Sequence, residues 1–352
     1  MRSFLIALGL IALLGACSRP SLQEQQAYVF GTRVEVIVAS PDPALGRRAI
    51  AAVLRTFDHL HHSYHAWQAS ELTALNQAIA HGKQRQAGNL SPPIEVSPEL
   101  AELVLEAQQL SRQGDYLFDP GIGHLIALWG FQSDEFKSAP ADASAVRAWL
   151  AAKPSIKDLA IEGKRIRSSN SAVALDFGGY LKGVALDQAA QILRDEGIEN
   201  ALINIGGNVM ALGTREGKKW RVGIQHPRQP GPMATISLND GEAIGTSGDY
   251  QRFFEFEGRR YPHLLDPRTG YPVDHTQAVT VVIPAGPKAG TMSDASSKPI
   301  FIAGPDHWRE MAQKTGISLV LRVDHSGQVF VTEALSKRLE FVSKPDKLNI
   351  LP

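Results

Sequence analysis

The chain lacks the means to form an internal disulfide bond, because Cys17 is the single cysteine among its 352 residues. It also lacks an excess of charge of either sign, with 36 Lys and Arg residues against 36 Asp and Glu. A nucleic-acid-binding surface normally needs a basic excess, so that class of function is not expected. No internal repeat or low-complexity tract is visible. The 43% of hydrophobic residues can form a full core, and the length fits one large domain or two joined closely.

The apolar segment at the N-terminus is too short to cross a membrane. Arg2 is the only charge before a run of apolar or small residues from Phe4 to Ala16, shorter than a stable membrane-spanning helix. This layout predicts a secretory signal peptide over residues 1–16. The run ends with the sequence LGAC at residues 14–17, the bacterial lipobox pattern. We therefore expect lipidation of Cys17, with residues 17–27 as a lipidated tether. An ordinary signal peptide with an incidental cysteine is the alternative.

These features predict a membrane-anchored lipoprotein of the bacterial cell envelope that faces the periplasm. The choice between inner and outer membrane stays open. The folded domain is expected over residues 28–345.

The sequence of that domain predicts an α+β fold in which antiparallel strands predominate. Apolar residues recur at helical spacing over about 43–61, 70–79, 98–113 and 143–152, and Ser70 and Ser97 are suitable N-caps. Helices are also expected near 289–300 and 305–315, and residues 83–93 are expected to form a polar linker. The expected strands and hairpins are Tyr28–Val38, Leu159–Ser168, Ala201–Ile205, Trp220–Ile224, Ala234–Leu238, Phe253–Tyr261, Val279–Ile283, Leu319–Val323 and Gln328–Thr332.

The segment from Asp176 to Gly183 joins an apolar run, a glycine turn and a helix start. Residues 172–175 are apolar and are expected to form a short buried strand, and helical spacing begins at Leu181. A helix N-terminus offers N–H groups and partial positive charge, so this turn is a suitable site for a phosphate. The alternative is a loop that only forms the corner between strand and helix. Lys182 adds a full cation in the first turn.

Five glycine-containing motifs place small backbone beside polar side chains. Such segments supply the amides, carboxylates and hydroxyls that a large phosphorylated ligand needs. They are DFGGYLKG at 176–183, NIGGN at 204–208, GTSGDYQR at 245–252, HLLDPRTGYP at 263–272 and GTMSDAS at 290–296.

Taken together, these motifs resemble the ApbE family of flavin transferases, the FAD:protein FMN transferases. The resemblance runs from Phe30 to about Gly304, with the motifs in the family's order. The segments LFDP at 117–120, LWGF at 128–131 and SEL at 70–72, followed by Asn76, match as well. The resemblance implies a single compact α+β domain related to the T-fold. Exported and lipidated members are common, in agreement with Cys17.

The resemblance implies that FAD binds and that its diphosphate is split. FMN would pass through a phosphoester bond to a threonine hydroxyl on a subunit of a respiratory or reductase complex, and AMP would leave. This needs charge neutralisation, an aligned hydroxyl and a proton acceptor. The implied catalytic residues are Lys182, Asp249 and His263. His263 would accept the proton as a neutral imidazole; the alternative is a histidine that only orients Asp266.

The resemblance assigns further residues to FAD binding. Tyr64 and Trp67 both flank a cluster of four histidines at 59–65, and the spacing does not decide which ring stacks on the ligand. Metal binding by that cluster is disfavoured, because no cysteine accompanies it. The residues assigned to FAD are Phe30, Tyr64, Leu117, Phe118, Asp119, Asp176, Gly178, Lys182, Asn204, Gly206, Thr246, Ser247, Gly248, Asp266 and Thr269.

Magnesium is where the chain departs from the family pattern. The resemblance implies Mg²⁺ bound by the Gly179 carbonyl, by Asp294 and by a threonine four residues further on, where this chain has Lys298. A charged lysine cannot bind Mg²⁺ and repels it. Two hypotheses stay open: Ser297 replaces the missing ligand, or the Lys298 ammonium neutralises phosphate directly. Phe30, where relatives usually have methionine, is a milder departure.

Two other functions fit the same residues. A non-catalytic lipoprotein that binds or stores FAD would follow if Lys298 abolishes turnover. A diphosphatase that releases free FMN and AMP would follow if water replaces the threonine.

Overall fold

The structure is a computed structural model that describes residues 21–82, 90–133 and 139–352. Two of its helices are long, with 21 and 26 residues, and a 3₁₀ turn lies at Ile156–Asp158. The helices are α1 Pro43–Ser63, α2 Glu71–His81, α3 Pro98–Gln113, α4 Gly123–Leu128, α5 Ala143–Ala152, α6 Leu181–Asp195, α7 Ala289–Lys314 and α8 Glu333–Ser336.

The strands are short and mostly antiparallel. They are β1 Ser21–Val29, β2 Thr32–Ser40, β3 Ile94–Glu95, β4 Leu159–Glu162, β5 Arg165–Ser168, β6 Ala201–Ile205, β7 Asn208–Leu212, β8 Trp220–Gln225, β9 Pro232–Leu238, β10 Ala243–Gly248, β11 Phe253–Phe256, β12 Arg259–Pro262, β13 Leu265–Asp266, β14 Tyr271–Pro272, β15 Thr276–Ile283, β16 Val320–Asp324, β17 Val329–Thr332, β18 Leu339–Phe341 and β19 Leu348–Leu351.

A nine-stranded sheet organises the fold, in the order β1-β2-β6-β7-β10-β15-β16-β17-β19. Each pair of neighbours is antiparallel except β17 and β19. Two three-stranded sheets, β18-β9-β8 and β3-β5-β4, and the hairpins β11-β12 and β13-β14 complete the described strands. The predicted α+β fold with mainly antiparallel sheet is therefore confirmed.

The central strand β15 is buried along its whole length, because both faces of the sheet are covered. On one face, α7 packs on β15, and α6 packs between α7 and α1. Val279 and Val281 of β15 belong to the apolar core on this face. On the other face, the sheet that contains β8 and β9 covers Ala278 and Val282. This two-sided burial explains why β15 has no polar alternation.

The capped helices form as their sequences predict. The Ser70 hydroxyl accepts a hydrogen bond from the Thr73 N–H (3.0 Å), and the Ser97 hydroxyl accepts one from the Leu100 N–H (3.1 Å). Each such cap stabilises by about 1 kcal/mol. Near the other end of the chain, Gly304 (φ 83°) interrupts α7 just before Pro305, so the two helices expected there follow one another across a break.

Three predicted strands differ from the structure. The strand predicted for 172–175 is wrong: Ala174 makes one bridge to Ile122, and Leu175 is bonded instead to the side chain of Asn76. The strand predicted for 28–38 is a hairpin of β1 and β2, because Phe30 (φ 56°) and Gly31 (φ 67°) reverse the chain. The strand predicted for 253–261 is likewise a hairpin, β11 with β12.

Both ends of the folded part lie beyond the predicted limits. Strand β1 begins at Ser21, so residues 21–27 lie in the sheet rather than in a tether. Strand β19 lies after residue 345 and pairs with β17. The predicted signal peptide, Cys17 and most of the expected linker at 83–93 lie outside the described residues. In the described ranges, none of the helices combines the length and apolar character needed to traverse a bilayer.

Candidate active site

A cavity of about 570 Å³ lies where the glycine loop before α6, the first half of α7 and strand β10 meet. Its size is in the range of small-molecule and cofactor sites. The cavity is lined by side chains and backbone of Phe30, Gly31, Thr32, Trp67, Leu117, Phe118, Asp119, Pro120, Ile122, Ile126, Phe131, Asp176, Gly178, Gly179, Lys182, Gly206, Gln225, Thr246, Ser247, Gly248, Tyr250, Gln251, Arg252, His263, Leu264, Leu265, Asp294, Lys298 and Ile302.

The glycine loop at 176–183 is held from both sides. The Asp176 carboxylate accepts a hydrogen bond from the Gly178 N–H (2.8 Å). Asn76 of α2 fixes the residue before it, since its side chain donates to the Leu175 carbonyl (2.8 Å) and accepts from the Leu175 N–H (2.7 Å). The loop therefore has a defined shape where Gly178, Gly179 and Lys182 reach the cavity.

Two close backbone approaches bring α7 to the cavity. A Cβ on Gly183 would lie 2.4 Å from the Gly290 carbonyl oxygen, and a Cβ on Gly245 would lie 2.2 Å from the Ser293 carbonyl oxygen. Only glycine allows backbone to pack this closely. As a result, α6 and β10 both contact the turn of α7 that carries Asp294.

The loop amides have less capacity for phosphate than the sequence predicts. The Gly178 N–H donates to Asp176, the Leu181 N–H to the Phe177 carbonyl, and the Gly183 N–H to Asp294. These three donors have partners within the protein, whereas the side chains of Lys182 and Lys298 bring positive charge to the cavity wall.

His263 is held in one tautomer by the backbone. The ring nitrogen Nδ1 lies 3.1 Å from the carbonyl oxygen of Arg252. The backbone N–H of His263 donates to the same oxygen (3.0 Å). A carbonyl oxygen only accepts, so Nδ1 carries the proton and Nε2 is the unprotonated nitrogen. This arrangement is typical of a histidine that accepts a proton at Nε2.

The pKa of His263 is lowered to about 3, first by desolvation and then by the positive charge of Lys182. The charges of Arg252 and Lys298 lower the pKa further, while the hydrogen bond to the Arg252 backbone raises it. The imidazole is therefore neutral at physiological pH in the free protein.

Lys298 and Asp294 form an ion pair at the cavity wall. The Lys298 ammonium lies 2.7 Å from Asp294 Oδ1 and donates to the Asp294 carbonyl oxygen, also at 2.7 Å. The second carboxylate oxygen, Oδ2, accepts from the Gly183 N–H (3.0 Å). Burial lowers the pKa of Lys298, and the Asp294 charge opposes that change.

These residues do not fit the magnesium site that the sequence resemblance implies. Both oxygens of Asp294 already accept hydrogen bonds, one of them from an ammonium. The Ser297 hydroxyl is bonded to Ser247 (2.8 Å) and donates to the Asp294 carbonyl (3.0 Å), so it does not replace the missing threonine.

Comparison with known proteins identifies the family of this chain. The family model described as the ApbE family matches residues 30–321. This chain belongs to the ApbE family. The expected resemblance is confirmed.

Individual ApbE relatives agree with the family match. The FAD:protein FMN transferase of Rhodobacter capsulatus is 38% identical over 315 residues, covering 90% of this chain and 58% of that protein. The chain thus spans little more than half the length of that relative. The FAD:protein FMN transferase of Haemophilus influenzae is 31% identical over 277 residues, covering 76% of this chain and 75% of that protein. These curated relatives are transferases, and membership therefore places this chain in a transferase family.

A solved ApbE structure has the same fold. The crystal structure of the ApbE protein from Thermotoga maritima superposes with a TM-score of 0.79 at 28% identity, covering 90% of this chain and 99% of that one.

The cavity of this ApbE chain brings together most of the residues assigned from sequence. His263 and Lys182 line it, as do the assigned metal residues Gly179 and Asp294. The assigned FAD-binding residues that line it are Phe30, Leu117, Phe118, Asp119, Asp176, Gly178, Lys182, Gly206, Thr246, Ser247 and Gly248.

Two acidic residues at the cavity differ in how their carboxylates are used. Asp119 accepts hydrogen bonds from Ser155 and from the N–H groups of Gly121 (2.8 Å) and Ile156 (2.9 Å). Burial nevertheless raises the pKa of Asp119 to about 6. Burial also raises the pKa of Asp176, whose bond to Gly178 opposes the change. Asp119 chiefly ties two loops together, whereas Asp176 is better placed to contact a ligand.

Other assigned residues lie outside the cavity lining of this ApbE chain. The Asp249 carboxylate is engaged by Arg228 through two hydrogen bonds of 2.7 and 2.6 Å. Asp266 is engaged by Arg268 in a similar way, since the guanidinium donates to Oδ1 (3.0 Å) and to Oδ2 (2.8 Å) of the carboxylate. Both carboxylates therefore have structural partners that the sequence motifs do not reveal.

The remaining assigned residues outside the lining also have local partners. The Tyr64 hydroxyl donates to Glu99 (2.8 Å), and burial raises the pKa of Tyr64 above its ordinary value. Asn204 accepts from the Gly207 N–H (3.0 Å), and Thr269 donates to the Asp266 carbonyl (3.4 Å). Ser297 is buried against Ser247. These residues shape the turns around the cavity.

The cavity also contains residues that the sequence left unassigned, Arg252 among them, and it separates the two aromatic candidates. Arg252 donates to the carbonyl oxygens of Phe131 and Ser133, both at 3.1 Å, and its guanidinium lies 5.9 Å from the Trp67 ring centre. Its position at the end of the GTSGDYQR motif is a signal that could have identified it. Trp67 lines the cavity and Tyr64 does not, which favours Trp67 as the aromatic contact.

Proposed function

We propose that this chain transfers FMN from FAD to a threonine hydroxyl of another protein and releases AMP. The observation that carries the proposal is the arrangement of His263 beside Lys182 and Lys298 in a single cavity. Relatives named FAD:protein FMN transferase support flavin transfer as the general activity.

The lysines and His263 divide the chemistry between them. The ammonium groups of Lys182 and Lys298 offset the negative charge of the diphosphate, which otherwise repels an incoming oxygen. The threonine oxygen attacks the phosphorus of the FMN half, and the bond from that phosphorus to the bridging oxygen breaks. The bridging oxygen leaves with AMP. Nε2 of His263 takes the hydroxyl proton.

The low pKa of His263 in the free protein fits this role once FAD is bound. Lys182 and Lys298 both lower that pKa, so a diphosphate that neutralises them raises it. Binding of substrate therefore makes the imidazole a stronger base at the stage when a proton must be accepted.

The acceptor is proposed to be a subunit of a respiratory or reductase complex at the periplasmic face of the membrane. The lipobox before Cys17 supports this location, because a lipid on Cys17 would keep the domain at the membrane surface. Replacement of Cys17 by Ser should release the protein from the membrane fraction. If the variant stays bound, lipidation of Cys17 is not the anchor.

The activity is tested by incubating the protein with FAD and a threonine-containing acceptor peptide. Mass spectrometry should find the peptide with FMN attached, and chromatography should find AMP. His263→Ala should slow transfer by about 10²–10⁴-fold with FAD binding retained, since this is the usual contribution of a general base. His307→Ala is the matched control, because His307 lies exposed on α7 beside Glu310.

The same experiment separates the competing functions. Free FMN and AMP without a modified peptide would indicate a diphosphatase. Intact FAD bound after long incubation would indicate a storage protein. A loss of FAD binding in His263→Ala, with no separate effect on turnover, would remove His263 from catalysis.

A further inference from the structure

The side chain of Lys298 runs past the glycine loop to Asp294, and both of these would supply ligands to a divalent cation. Its ammonium lies 2.7 Å from Asp294 Oδ1. Its Cε lies only 3.2 Å from the position that a Cβ would take on Gly179. The lysine stem therefore passes the glycine loop, and its charged end is fixed on the aspartate.

The Lys298–Asp294 ion pair is shielded from water and is held by partners on two helices. The Asp294 side chain is 2% exposed and the Lys298 side chain 14% exposed, so the pair is largely shielded from water but reaches the cavity. Partners on two elements fix Asp294: Gly183 of α6 and Lys298 one turn further along α7. A shielded ion pair interacts more strongly than an exposed one, and an ammonium can donate to a phosphate as well as to the aspartate.

We infer that Lys298 takes the place of the divalent cation, so that flavin transfer by this chain proceeds without a metal ion. The inference rests on the proposed function. Lys298 and Lys182 together form the positive side of the diphosphate site, and Asp294 serves to position the Lys298 ammonium. The charge is supplied by a side chain that is covalently part of α7, so it cannot be lost to a chelator.

The first test uses the unaltered protein. Transfer of FMN to the acceptor peptide should proceed at the same rate in EDTA and in millimolar Mg²⁺. A rate that falls with EDTA and returns with Mg²⁺ would overturn the inference while leaving the proposed function intact.

The second test does not depend on transfer. Binding of Mn²⁺, followed by electron paramagnetic resonance, should be absent in the unaltered protein and present in Lys298→Thr, which frees Asp294 and supplies a hydroxyl. FAD affinity of Lys298→Thr should fall about 10- to 100-fold in EDTA, as expected for a lost charge-assisted bond, and should recover in Mg²⁺. Mn²⁺ binding by the unaltered protein that is lost in Asp294→Ala would contradict the inference.

A matched control and a folding check complete the design. Lys314→Thr removes another lysine of α7 that pairs with Asp115 away from the cavity, and should leave FAD affinity unchanged. Thermal unfolding establishes whether Lys298→Thr is folded. If it is not, the EDTA and Mn²⁺ measurements on the unaltered protein still decide. If no transfer occurs under any condition, the proposed function fails, and the Mn²⁺ measurement alone tests the metal inference.

Discussion

The pKa of His263 predicts an unusual dependence of transfer on pH. A histidine with the ordinary pKa of 6.5 is only about 3% neutral at pH 5, so a reaction that needs the neutral ring would slow about 30-fold between pH 8 and pH 5. With its pKa lowered to about 3, His263 is almost fully neutral at both pH values. We therefore expect kcat/KM for FAD to change little over this range.

The assay is a pH series of initial rates with the acceptor peptide, measured as AMP formed. Since kcat/KM reports the free enzyme and kcat reports the bound complex, the acid limb of kcat should lie at higher pH than that of kcat/KM. Bound diphosphate raises the pKa of His263 by offsetting Lys182 and Lys298. Circular dichroism at pH 5 verifies that the protein remains folded.

A variant tests the electrostatic cause. Lys182→Met removes the largest charge effect on His263, so the acid limb of kcat/KM should move to higher pH, whatever the change in KM. Lys314→Met should leave the limb in place. A fall of about 30-fold at pH 5 in the unaltered enzyme would refute the reasoning, because it would show a histidine of ordinary pKa.

The close packing of α6 on α7 predicts that Gly183→Ala destabilises the fold, because the added Cβ would lie 2.4 Å from the Gly290 carbonyl oxygen. We expect a loss of about 1–3 kcal/mol in the free energy of unfolding. Gly286→Ala, with its nearest contact at 3.9 Å, should have little effect in the same denaturation series, and equal effects would contradict the packing argument. Asp249→Asn should lower stability by breaking the pair with Arg228 while turnover per folded molecule stays near normal. A loss of turnover in a fully stable Asp249→Asn protein would restore Asp249 to catalysis.

Local signals in the sequence were sufficient for the helices. Ser70 and Ser97 are caps with a polar oxygen at the right position, and the helices after them begin where those residues predict. The motifs that contain Lys182 and His263 are far apart in the chain, yet both reach one cavity. Their family resemblance, rather than periodicity, indicated that they would meet.

The sequence could not reveal contacts made between distant segments. The apolar residues 172–175 are typical of a strand, but the side chain of Asn76, almost a hundred positions away, takes the Leu175 backbone groups. Likewise, nothing near Asp249 in the sequence shows that Arg228 pairs with it. Such partners depend on the tertiary fold, so motif analysis assigned Asp249 to chemistry where the structure shows an ion pair.

Lys298 stands where relatives have a threonine metal ligand, four residues after Asp294. From the sequence alone, two interpretations of this lysine were open. The structure shows its ammonium on the Asp294 carboxylate, with Ser297 engaged by Ser247. That geometry favours the interpretation in which the lysine acts on phosphate.

The most direct test of the central claim is the stoichiometry of a single turnover in EDTA. Purified protein in excess over FAD, mixed with the acceptor peptide, should form one AMP for each peptide that carries FMN. FAD that remains intact, or AMP that forms together with free FMN and an unmodified peptide, would contradict the account.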